Sequence, residues 1–101
     1  MSWQQYDIVP ILERGKALAL ILQYFGLDTG DNIIIAPLVP AKQVPEFDVF
    51  TPLVTVSGTD YRVAFHLLST VNRSALGNTV MSAAEHEYAF QRAHQRLFFG
   101  N

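Results

Sequence analysis

Two histidines, His86 and His94, lie eight residues apart near the C-terminus and are the first place to look for metal chemistry. At about 100° per helical residue that spacing sets them about 80° apart, off a common face. No HExxH pattern surrounds them and no third ligand falls in register, so no metal site is expected. His86 falls near the apolar stripe of the segment, where a hydrogen-bonded packing role is the usual one. The chain has no cysteine, which removes disulfides, thiolate zinc sites and cysteine nucleophiles together. No glycine-rich phosphate cradle and no Ser/His/Asp arrangement stands out. Neither catalytic residues nor a cofactor are expected; the chemistry to look for is binding.

The residues suited to binding stand on the same segment. Ser82 with Glu85 three positions on reads as a capping box opening a helix. Glu85 and Glu87 near its start and Arg92 and Arg96 near its end suit the helix dipole, and Gly100 suits its stop. On the helical wheel Ala89, Phe90, Ala93 and Leu97 form one narrow stripe that must lie on the rest of the protein, with Phe98 at its border. Phe99 falls about 200° from Leu97, nearly opposite. It shares that far face with Tyr88, Arg92 and Gln95. Aromatic rings with arginine and an amide between them recur at protein interfaces, because rigid rings supply area at low entropy cost. The alternative is a frayed end, with Phe99 folded back or buried in a dimer.

The elements that carry this helix read as strands and turns. Tyr6 to Val9 is a first strand stopped by Pro10. Ala17 to Leu22 is a nearly continuous apolar run, followed by Gly26 and the turn signal Asp28-Thr29-Gly30-Asp31. Asn32 to Leu38 holds the β-branched Ile33-Ile34-Ile35 and ends near Pro37, with Pro40 to Pro45 a connection. Leu53 to Val56 and Tyr61 to Phe65 flank Ser57-Gly58-Thr59-Asp60 as a hairpin. Tyr61, Val63, Phe65 and Leu67 share one face of its second arm, opposite Arg62 and His66. Val71 and Leu76 to Val80 suggest further short strands around Gly77. Short strands spaced by Gly and Pro, with no strand–helix–strand alternation, predict a mainly β rolled sheet or barrel ending in one helix.

Bulk properties bound the function. At 101 residues the chain is read as a single domain over 1–101. Half of it is apolar, more than so small a domain hides easily, so a homodimer is expected. The net charge is −2, with the basic residues scattered. Neither a phosphate-neutralising surplus nor a polybasic membrane patch is present. The start, Met1-Ser2-Trp3-Gln4-Gln5, lacks the basic region of a secretory signal, and no apolar run approaches the roughly 20 residues that span a bilayer. A cytoplasmic location is expected.

Taken in order, these residues resemble the CcdB toxins of bacterial toxin–antitoxin modules, the plasmid maintenance proteins. The resemblance runs through Tyr6, Gln23, Leu27-Asp28-Thr29, Ile33-Ile34-Ile35-Ala36-Pro37-Leu38, Pro52, Val54, Val56, Gly58 and Tyr61-Arg62. It continues through Ser69-Thr70-Val71, Gly77, Ala93 and Leu97-Phe98-Phe99-Gly100-Asn101. It implies an SH3-like barrel of antiparallel strands, the fold shared with MazF-type toxins, closed by one C-terminal α-helix and paired as a homodimer. The implied function is that of a non-enzymatic poison. It binds the DNA gyrase A subunit and traps gyrase on cleaved DNA. A cognate CcdA-like antitoxin neutralises it, and operator DNA is reached only through that antitoxin as the pair represses its own operon.

The resemblance also implies the contacts. The family's Phe-Trp-Gly-Ile terminus falls on Phe98, Phe99, Gly100 and Asn101, its helix Asn on Gln95, and its two loop isoleucines on Gly26 and Leu27. Phe99 keeps an aromatic ring and Gln95 keeps an amide. Asn101 and Gly26 remove apolar contact area, and a lost buried isoleucine costs roughly 2–5 kcal/mol where the site cannot adapt. Asn72 stands where the family often has proline. Two alternatives accompany this reading. One is a non-toxic homologue that keeps the fold and the antitoxin contact. The other is a MazF-like endoribonuclease using Arg73 and His66, against which the lack of a basic groove counts.

Overall fold

The structure, a computed structural model, describes residues 3–26, 29–43 and 50–100. Among the described residues seven strands are formed: β1 (Asp7–Pro10), β2 (Leu18–Ile21), β3 (Asn32–Pro40), β4 (Leu53–Val56), β5 (Thr59–Val63), β6 (Ser69–Asn72) and β7 (Met81–Ser82). They are followed by one helix, α1 (Glu87–Phe99). All pairings are antiparallel, in the order β4-β5-β3-β2-β1-β7, with β6 also on β3. The result is the nearly closed, barrel-like sheet with one C-terminal helix that the sequence patterning predicts.

The long strand β3 is the spine. Ile33 to Ile35 pair with β6 and Leu38 to Pro40 with β5, while Ile35 to Pro37 also pair with β2. The strand therefore runs past Pro37, where the sequence pattern ended it. Pro37 is the last residue paired with β2 and precedes the first paired with β5, the point where a missing N–H interrupts the ladder least.

Both faces of the β1–β2–β3 region are buried, which explains the unbroken apolar runs. Ile8, Leu20, Ala36 and Leu38 face one core together with Val54, Val63, Phe65 and, from α1, Phe90 and Ala93. Val9, Ala19, Ile21, Ile33 and Ile35 face a second core with Trp3 and Leu76. Neighbouring residues thus feed opposite cores, as strand alternation requires. Trp3 closes the second core: its Nε1 donates to the Gly77 carbonyl at 3.0 Å, and the Arg73 guanidinium lies over its ring at 5.4 Å. Gly77 is needed at this closure, because a Cβ there would meet Pro10 Cγ at 2.7 Å.

Three local expectations are corrected. The hairpin turn is two residues rather than four: Val56 pairs with Thr59, and Ser57 (φ 50°) and Gly58 (φ 81°) both take the left-handed conformation that a tight hairpin demands. The second arm ends at Val63 and residues 65–67 form a 3-10 turn, so Leu67 leaves the face of Phe65 and is exposed. Ser82 does not cap α1. Its Oγ accepts from the Ala84 N–H at 3.2 Å, and a 3-10 turn over Ala84–His86 intervenes before the helix begins at Glu87. The cause is tertiary: Ala83 is buried and its N–H is committed to the Tyr6 carbonyl, which holds the chain extended for longer than the helical pattern suggests.

Phe90 is 1% exposed and touches both Tyr6 and Phe65. Phe90→Ala is expected to cost about 3–5 kcal/mol, read as a lowered midpoint in urea unfolding.

Candidate functional site

The helix face set by the wheel is the face observed. Phe90 and Ala93 are buried, and Leu97 packs on the same core. The Phe90 ring sits 5.2 Å from Tyr6 and 5.8 Å from Phe65, in tilted aromatic contacts that fix both the depth and the rotation of α1. The helix ends at Gly100, whose φ of 72° and ψ of 14° are left-handed and whose N–H returns to the Arg96 carbonyl at 3.0 Å. Rotation and end point together decide what the tip shows to solvent. Phe99 is 69% exposed, Phe98 55% and Tyr88 72%.

On the outer face the Arg92 guanidinium lies over the Tyr88 ring at 6.0 Å, one helical turn apart, and Gln95 is exposed between Arg92 and the tip. Tyr88, Arg92, Gln95 and Phe99 are therefore solvent-facing, as the wheel places them. Phe98, the border residue, turns toward the barrel and lines a cleft there. His94 joins the two phenylalanines, its ring edge-on to Phe98 at 4.9 Å and to Phe99 at 6.4 Å. The sequence reading tested His94 only as a metal ligand and missed this role. Its spacing of four from Phe98 was the available signal.

The cleft, of about 370 Å³, lies between the second half of α1 and the barrel. Tyr6, Phe65 and Phe90 supply buried aromatic walls, while Gln5, Gln91 and His94 stand nearer solvent. Burial, and secondarily the Glu87 carboxylate, push the Tyr6 phenol above its ordinary value of 10.0, with the hydrogen-bonded Gln91 amide acting the other way. The Tyr6 backbone is itself unusual. Its φ of 69° is left-handed, a conformation that costs a non-glycine residue of order 1–3 kcal/mol. Its N–H donates to the Ile21 carbonyl and its carbonyl accepts from Ala83, each at 2.8 Å, so both neighbours hold it there.

The loop after β2 runs beside this cleft. Buried Gln23 staples it: Nε2 donates to Thr29 Oγ1 at 2.8 Å, Oε1 accepts from the Ile34 N–H at 3.0 Å, and Thr29 Oγ1 donates to the Asn32 carbonyl at 2.7 Å. Leu22 and Gln23 meet Phe98 across the cleft. Gly26 lies in a neighbouring cleft of about 560 Å³ bordered by Gln5, Tyr24, Ser82 and Ala84, on the side where α1 approaches. A Cβ on Gly26 would strike the Tyr24 ring. The two clefts share Gln5, so Gly26 is adjacent to the tip cleft without lining it. Leu27 and Asn101, the remaining sequence candidates, lie outside the described residues.

The residues of the alternative readings are kept apart. His66 and Arg73 stand at opposite ends of β6, about 13 Å of strand between them. The His66 ring contacts Phe50, and Arg73 covers Trp3. Nε2 of His86 is 4.0 Å from the Glu85 carboxylate. Among the described residues no group of three or more His, Asp or Glu is placed to hold a metal ion, and no helix is long and apolar enough to cross a membrane.

Two predictions follow from this geometry. Phe99→Ala is expected to leave stability within about 0.5 kcal/mol, because the ring is mostly in water; urea titration checks it. For Tyr6, a folded-state pKa above the unfolded value means stability is intact below about pH 10 and is lost as pH rises through the folded value. Tyr6→Phe is expected to remove that part of the alkaline loss, read by thermal melts between about pH 8 and 11.

Compared with known families, the chain matches the model described as CcdB protein over residues 6–100. A comparison with curated proteins found no match.

Proposed function

The chain belongs to the CcdB family, and from that premise we propose that it is the toxin of a toxin–antitoxin module whose target is the DNA gyrase A subunit. The observation that carries the reading is the helix tip. Phe99 is held in solvent by a helix whose opposite face is locked into the core, so its exposure is enforced by packing rather than by fraying. Phe98, Gly100 and Gln95 share that tip, with Arg92 about two and Tyr88 about three turns back from Phe99 on the outer face. A rigid ring beside an amide and a guanidinium is suited to a folded protein partner.

The protein acts by holding a gyrase–cleaved DNA complex and performs no bond chemistry of its own. The absence of a basic surplus supports the view that it reaches operator DNA only through a cognate CcdA-like antitoxin. An apolar half of the sequence, more than so small a domain hides easily, supports self-association as a homodimer. The cytoplasm, where gyrase works, is its site of action. Gly26, with Leu27 and Asn101, belongs to the proposed gyrase contact. The small Gly26 requires the Tyr24 ring to supply the apolar area that a larger loop residue would give.

The test is incubation of the purified protein with gyrase from its own host, supercoiled DNA and ATP. Trapped double-strand cleavage is expected. Phe99→Ala is expected to weaken trapping by at least about thirtyfold, an interface anchor being worth 2 kcal/mol or more. No cleavage with the unmodified protein overturns the poison reading in favour of the non-toxic homologue. RNA cleavage lost on Arg73→Ala overturns it in favour of the ribonuclease.

A further inference from the structure

The cleft under the helix tip has a chemistry that the outer face does not use. Its walls are the rings of Tyr6, Phe65 and Phe90, with Phe98 at the mouth. Four aromatic side chains around about 370 Å³ suit one flat ring system, since offset and edge-on ring contacts need no charge. No lysine, arginine, aspartate or glutamate lines it among the described residues. A charged ligand would leave water there with no charged side chain in the lining itself, the Glu87 carboxylate standing behind Gln91 at 3.4 Å from its Nε2.

The polar lining is built from amides, and the commitments of those amides are uneven. Gln23 spends both ends of its side chain on the loop, to Thr29 and Ile34. Gln5 donates Nε2 to the Leu22 carbonyl at 2.9 Å, which leaves its Oε1 as an acceptor. Gln91 makes only a long contact of 3.4 Å from Nε2 to the Glu87 carboxylate, besides its bond to the Tyr6 phenol. The site therefore offers acceptors and donors side by side, matched by a ligand group that both donates and accepts. The left-handed Tyr6 backbone is an independent sign of preorganisation, because it fixes a ring in the cleft wall at a conformation the residue would not choose alone.

We propose that this cleft binds an uncharged, one- or two-ring aromatic molecule bearing a carboxamide, its ring between Tyr6 and Phe98 and its amide toward Gln5 and Gln91. Occupancy sets the position of Phe98 and, through His94, that of Phe99, so the ligand would tune the helix tip from beneath. The proposal does not depend on gyrase being the target, and its test uses the protein alone.

Indole-3-carboxamide is titrated into the isotope-labelled protein, with indole-3-carboxylate and tryptamine as charged analogues of the same ring. Saturable shifts at the Gln5 and Gln91 side-chain amides and at Phe98 are expected, with Kd at or below about 1 mM and both charged analogues at least about tenfold weaker. Gln91→Leu, at an exposed helical position, keeps the fold and is expected to weaken the carboxamide about tenfold. Shifts centred elsewhere, no saturation by about 10 mM, discrimination below tenfold, or an unchanged affinity in Gln91→Leu would each overturn the proposal.

Discussion

Everything at the helix tip of this protein depends on how one ring, Phe90, is seated. It fills the gap between α1 and the sheet against Tyr6 and Phe65. That contact fixes the rotation of the helix, and rotation alone decides that Tyr88, Arg92 and Phe99 meet solvent while Ala93 meets the core. The Tyr6 backbone is held in a left-handed conformation to present its ring. Two backbone hydrogen bonds, to Ile21 and from Ala83, together with ring burial offset the cost. The same Ala83 bond delays the start of α1, so seating and helix length share one cause.

The sheet beneath is stiff for a reason visible residue by residue. Burial on both faces of β1, β2 and the middle of β3 withdraws most side chains there from water, and Trp3 with Leu76 covers the face away from the helix. Such a platform lets a small domain carry exposed aromatic rings without collapsing onto them. It also separates two roles cleanly. Core residues set geometry, while the rings of Tyr88, Phe98 and Phe99 stand largely outside the core.

Charge follows the same division. Glu87 stands in the first turn of α1 and Arg96 in the last, an arrangement that favours the helix dipole, while Arg92 lies in mid-helix on the outer face. The cleft lining holds no Lys, Arg, Asp or Glu, and burial, with the Glu87 carboxylate second, pushes its phenol above the ordinary value. A cationic aromatic outer face and a neutral aromatic cleft thus lie a few side chains apart, joined by His94 and Phe98.

Much of this was legible in the sequence, because periodicity records burial. The stripe Ala89, Phe90, Ala93 and Leu97 marked the buried helix face, and the β-branched run Ile33-Ile34-Ile35 marked a strand. The ordered matches along the chain marked the CcdB family. Other features depended on contacts between residues far apart in the chain, which no local pattern encodes. No local pattern singled out Trp3, yet it bonds Gly77 and closes a core. Ser82 and Glu85 had the spacing of a helix cap, but the Tyr6–Ala83 hydrogen bond overrode it. The cleft under the tip needed α1, β1 and the loop after β2 to meet before Gln5, Gln91 and His94 could surround one space. Local spacing determined which side of the helix is buried; long-range packing decided where the helix starts, what its tip leans on, and what lies beneath it.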